Sequence, residues 1–136
     1  SGVHVEHFEI PRPFSEAARQ VKQKTNECLK VTMKHTSRTS TGGIPTTSVG
    51  FTRYEPFANI SASKAEIYVI ETYLNSRQED TGQDKIFMFL LDLAPAGKNK
   101  AKADLYYTWG EPRPRTAKAV RDWANGKGTA CPDLAP

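Results

Sequence analysis

Apolar and polar residues along this chain follow two periods. Val3 to Ile10 is β-branched and aromatic enough for a strand, and Pro11-Arg12-Pro13 stops it. Ala18, Val21, Thr25 and Cys28 then recur at helical spacing, with Arg19, Lys22, Gln23 and Lys24 over much of the remainder. This spacing predicts a helix over 15–28, with Ser15 as its N-cap and Glu16 in the first turn.

Five strand-like segments follow. Leu29, Val31, Met33 and His35 alternate with Lys30, Thr32 and Lys34, the pattern of a half-buried strand. Thr36–Thr46 is rich in Ser and Thr, contains Gly42-Gly43 and Pro45, and predicts a long loop. Val49, Phe51 and Arg53 share a face of the second segment, and Glu55–Ser63, with Pro56 and Asn59, predicts another connection. Ala65–Leu74 is apolar on both faces, and the polar run Asn75–Asp84 predicts a hairpin loop. Lys85–Leu93 sets Phe87, Phe89, Leu91 and Leu93 against Ile86, Met88 and Leu90. The first set is expected to face the helices. The second belongs to a strand covered on both sides, or to one whose outer face meets a partner. The fifth segment, Lys102–Trp109, sets Leu105, Tyr107 and Trp109 against Lys102, Asp104 and Thr108.

Pro112-Arg113-Pro114 breaks this pattern. A second helix is expected over about 116–125, capped by Thr116, striped by Val120, Trp123 and Ala124, and ended by Asn125-Gly126. Residues 127–136 read as an irregular tail. The expected order is β-α-β5-α: a two-layer α+β sandwich, with an antiparallel sheet of about five to six strands and both helices on one face. Residues 1–136 form one domain, and Ser1-Gly2 reads as the remnant of a cleaved tag.

The longest apolar run, Ile86 to Leu91, falls far short of the ~20 residues of a membrane helix. No heptad is sustained, which excludes a coiled coil. With 19 Lys+Arg against 15 Asp+Glu, the net charge is only +4. Cys28 and Cys131 fit one disulfide or two buried thiols of a cytosolic protein. Their positions favour the disulfide, because a bridge would tie the tail to the end of the first helix. It would also favour a periplasmic or secreted location.

The element order resembles the helix-grip arrangement of START and Bet v 1-like domains, and of the small helix-grip domains of a bacterial outer-membrane assembly lipoprotein. Trp123-Ala124-Asn125-Gly126 leading to Cys131-Pro132 is similar to the tails of small exported proteobacterial proteins. The resemblance implies an exported domain, with a lipid anchor on a removed N-terminal segment as one form of it. It carries over no catalytic or binding residue.

Several groups of residues have the composition of a site. Asp80-Thr81-Gly82 matches the aspartic-protease triplet, but that chemistry needs two such aspartates in an apolar cradle, and here Gln78, Glu79, Gln83 and Asp84 surround it. A turn explains it. His4, Glu6 and His7 resemble metal ligands, yet on a strand His7 points away from the other two. His35 stands alone. Asn59-Ile60-Ser61 is a glycosylation sequon, meaningful only in a eukaryotic secretory host. Glu71 and Asp92 could act as acid and base only in a shared pocket. No nucleophile elbow, Walker loop or dinucleotide glycine pattern occurs, and no cofactor or metal is expected.

The cations Lys98, Lys100, Lys102, Arg113, Arg115, Lys118 and Arg121 lie among Tyr106, Tyr107 and Trp109. Aromatics beside cations suit single-stranded nucleic acid. Asp104, Glu111 and Asp122 are interleaved, however, and no RNA-binding motif appears, so nucleic acid is disfavoured. Arg113, Arg115, Lys118 and Arg121 remain a candidate surface for an anionic envelope component. The sequence reads as a non-enzymatic exported bacterial domain, an envelope or protein-interaction module. The alternatives are a small hydrophobic-ligand carrier with a pocket between helices and sheet, and a toxin immunity or inhibitor protein.

Overall fold

A computed structural model describes residues 2–82 and 85–136. The chain runs β1 (Val3–Ile10), α1 (Phe14–Leu29), β2 (Val31–Thr41), β3 (Ile44–Ile60), β4 (Ala65–Leu74), β5 (Ile86–Pro95), β6 (Ala101–Thr108) and α2 (Arg113–Ala124). The strands form one antiparallel sheet in the order β1-β6-β5-β4-β3-β2. The first strand therefore lies beside the last, and α1 carries the chain from one sheet edge to the other. This is the α+β sandwich that the apolar periods predict.

Both helices begin differently from expectation. Pro13, not Ser15, stands at the head of α1, and no side chain caps it. The Pro13 carbonyl accepts the N–H groups of Glu16 and Ala17. α2 begins at Arg113, so Pro112-Arg113-Pro114 starts this helix instead of blocking it. Pro114 falls in the first turn, where a missing N–H costs nothing. Thr116 is not a cap; its buried hydroxyl donates to the Pro112 carbonyl at 2.8 Å. Lys24, expected on the solvent side of α1, lays its stem on the core and gives its ammonium to Glu27 at 2.9 Å.

Between helices and sheet the space is filled. Trp123, Phe89, Ile10, Leu29, Ile67, Met88, Leu91, Leu93 and Leu105 are all fully buried there. The Trp123 indole N–H donates to Ala130 in the tail at 3.2 Å. Cys28 and Cys131 are disulfide-bonded with their Cα atoms 5.3 Å apart, so the tail is fixed to the end of α1. Leu134 joins the core beyond it.

Two expected connections are strand. Thr36–Thr46 forms no loop: β2 and β3 stay paired from Val31↔Tyr54 to Thr41↔Ile44, turning through Gly42 and Gly43 at φ +59° and +79°. Both turn positions need positive φ, which glycine supplies, and that turn matches the twist of a hairpin. β4 pairs with β3 only as far as Phe51↔Leu74, so the ribbon beyond is two strands wide and exposed on both faces. At its base the His35 ring lies across Gly50, where a Cβ would sit 2.9 Å from the ring. Glu55–Ile60 also continues β3. Because β2 begins opposite Tyr54, this stretch has β4 alone as a neighbour. Pro56 is tolerated there, on an edge where no second partner needs its N–H.

A bulge in β5 corrects one core assignment. Val69 pairs with Phe89, but Ile70 pairs with Phe87, which leaves Met88 as the extra residue. Met88 turns inward and is fully buried, and Phe87 swings to the opposite face at 50% exposure. Phe89, Leu91 and Leu93 face the helices as expected. Asn75 to Gly82 forms polar turns, with Asp80 accepting the Gly82 N–H at 3.0 Å; Gln83 and Asp84 lie outside the described residues.

Candidate functional site

The helices cover one face of the sheet and leave the other open. Register places Phe57, Tyr68, Leu90, Tyr106 and Val5 side by side on the open face, on five successive strands. Phe57 stacks on Tyr68 with ring centres 5.2 Å apart, and Phe87 meets the edge of Tyr68 at 5.5 Å. Phe57 is 44% exposed, and Val3 and Val5 are also exposed. Single exposed apolar residues are ordinary, but a contiguous band across a sheet marks a contact surface. Beside it β5 and β6 part company. Their pairing ends at Leu90↔Tyr106, while each strand runs on. The gap is a groove of about 530 Å³ lined by Phe87, Leu90, Tyr106, Thr108 and Val3, with Asp92 and Lys85 also on its wall.

Next to the apolar band, Glu66, Asp92 and Asp104 stand in register on β4, β5 and β6. Like charges directly opposite each other on a sheet repel. Burial raises the Asp92 carboxyl above its ordinary value, and the charges of Glu66 and Asp104 add to this against the pull of Lys64. One Asp92 oxygen is buried without a hydrogen-bond partner. Asp104 is met by His7, whose Nδ1 lies 2.5 Å from its Oδ1.

A second recess lies on the helix side, at the start of α2. It has a volume of about 380 Å³ and is lined by Met33, His35, Thr52, Tyr54, Glu71, Tyr73, Arg113 and the tail residues Leu134 to Pro136. Arg113 donates to the buried Glu71 carboxylate at 3.2 Å and to the Trp109 carbonyl at 2.8 Å, while its Nε has no partner. Burial pushes Glu71 up, and the Arg113 guanidinium holds it back. Burial raises the Tyr54 and Tyr73 phenols too, assisted by the Glu71 charge. His35 is tied to the Thr52 hydroxyl at 3.1 Å. Glu71 opens on this recess and Asp92 on the opposite face, so the two carboxylates share no pocket.

The other sequence candidates are dispersed. His4 faces the helix side against Tyr107 and Trp109, and Glu6 accepts two contacts of 2.7 Å from Arg121. His7 faces the open side. Among the described residues no three His, Cys, Asp or Glu side chains are grouped for a metal ion. Ser61 of the sequon closes the β3–β4 turn against the Lys64 carbonyl. Arg113, Arg115, Lys118 and Arg121 are each engaged within the chain. Arg115 donates to the Asp133 and Ala135 carbonyls at 2.7 and 2.9 Å, and Lys118 pairs with Asp122 at 3.1 Å. Lys98 and Lys100 lie in the exposed β5–β6 turn, and Lys102 points to the open face beside Glu9.

Sequence reasoning missed the open apolar band. Its residues were visible as second-face apolar positions in residues 65–74 and 85–93, but Phe57 fell in an expected connection and Phe87 on the expected core face. Compared with known proteins, the chain matches no family model, no curated protein and no solved structure. Among the described residues no helix is long and apolar enough to cross a membrane.

Proposed function

We propose that this chain is a non-enzymatic interaction domain of an exported bacterial protein, periplasmic or secreted, which docks a protein partner on its open sheet face. The observation that carries this reading is the apolar band from Phe57 to Val5, with Phe87 raised beside it. The Cys28–Cys131 disulfide supports the location, since such bonds persist in oxidising compartments. The strand order, with β1 beside β6, is consistent with the helix-grip resemblance, and a lipid-anchored envelope form is one version of this proposal. Docking is preferred to ligand carriage because side chains fill the layer between helices and sheet.

A photo-crosslinking residue placed at Phe87, and separately at exposed Lys118 on α2, tests the reading in cells that export the protein. The expected result is one discrete adduct from position 87, lost on Phe57→Lys, and none from 118. Equal labelling from both positions, or none from either, overturns it.

A further inference from the structure

We infer that the occupant of the open face is a second copy of this chain, packed sheet against sheet about a two-fold axis lying in the face at right angles to the strands. This rests on the docking reading above and names its partner.

Charge selects the axis. Along the strands the open face presents Lys102 with Glu9, then Glu66, Asp92 and Asp104, then the apolar band, then Glu55, Ile70 and Phe87, and then Lys85 with Arg53. A two-fold interface applies one patch to itself. An axis parallel to the strands lays the three carboxylates on their own copies, which is repulsive. The perpendicular axis reverses the strands. It sets Asp92 of one copy over Lys85 of the other, and Glu66 between Lys85 and Arg53. Among the described residues of one copy these cations have exposed ties, Lys85 to Asp80 at 3.6 Å and Arg53 to Glu55 at 2.8 Å. Such pairs hold little energy, so the cations are free to be shared.

Shape agrees with charge. The half-exposed Phe87 ring stands at the rim of the 530 Å³ groove. With the axis between the two apolar rows, Phe87 of each copy lies over Leu90 of the other and enters its groove. Sheets packed in this way sit about 10 Å apart with strands within about 30° of each other. The face measures about 20 Å in each direction at ordinary strand spacing and rise. With its side chains, that approaches the ~800 Å² per partner of a standard interface.

Sedimentation equilibrium on the intact, oxidised chain tests the pairing. The expected result is a dimer at micromolar concentration, and a monomer for Phe87→Lys with unchanged circular dichroism and melting temperature. Asp92→Lys and Lys85→Glu should each weaken dimerisation at least tenfold, and the double charge swap should restore it. Phe57→Lys gives the same readout from another strand should a swap variant not fold. A wild-type chain that stays monomeric overturns the inference, while a Phe87 adduct with a different protein would leave the docking reading standing. A dimer indifferent to Phe87→Lys, or a double swap that does not restore pairing, overturns it as well.

Discussion

Phe87 and Phe89 stand two residues apart on β5 and face opposite ways. Phe89 is sealed beneath the helices, and Phe87 is half in solvent. The two faces repeat this contrast in their carboxylates. Glu71 on the helix side is buried against Arg113, whereas Asp92 on the open side keeps an oxygen without a partner. One face is covered by the helices, although the Arg113 Nε there also lacks a partner. The other has the same kinds of residue, aromatic rings and half-buried carboxylates, without the layer that would satisfy them. Apolar area left in water forgoes about 25 cal/mol per Å² of stabilisation, which the proposed second copy would recover.

Substitutions that act on one face alone sharpen the contrast. Phe89→Ala should destabilise by about 3–5 kcal/mol, transfer plus cavity, read from the urea midpoint. Arg113→Ala leaves the Glu71 charge buried and unpaired, and should cost about 3 kcal/mol at neutral pH. That cost should shrink towards acid, because Glu71 then takes a proton. The sign follows from its raised pKa. Between the ordinary value of 4.5 and its higher folded value, the folded chain holds a proton that the unfolded chain has released. Stability contributed by Glu71 is therefore full below that window and falls as pH rises through it. Melting temperature against pH should show this decline, and Glu71→Gln should flatten it.

Cys131→Ser frees the tail and should cost about 2–5 kcal/mol by the same urea titration, the upper end being the loop entropy of a ring that spans 103 residues in sequence. Phe87→Ala is the smallest effect, below about 1 kcal/mol for the isolated chain. A loss like that of Phe89→Ala would erase the distinction between the faces.

The sequence made the helix side legible and the open side only in part. Val21, Thr25 and Cys28 on one helix, and Val120 and Trp123 on the other, mark their buried stripes directly. The disulfide followed from where those stripes end. Phe87 was misplaced because strict alternation has no term for a bulge, and Met88 as an extra residue shifts everything before it to the other face. The β2–β3 ribbon was read as a loop because Ser and Thr alternate with one another there, leaving no apolar face to detect. Its strand character comes from cross-strand pairing and the Gly42-Gly43 turn. Pro56 misled for a different reason: it breaks a strand paired on both sides, and whether β3 has a second neighbour at that point depends on where β2 begins. The band across five strands exists only in register, which no single segment encodes.

The bond between Cys28 and Cys131 closes the polypeptide between them into a ring. Everything from β2 to α2 lies on the ring, and β1 with nearly all of α1 hangs from it. A protease that cuts the exposed Gly42-Gly43 tip therefore separates nothing. The nicked molecule keeps its mass but for one added water, migrates as one species, and divides only under reductant. The same geometry makes this tip a place where new chain ends can be opened while the remainder stays covalently whole.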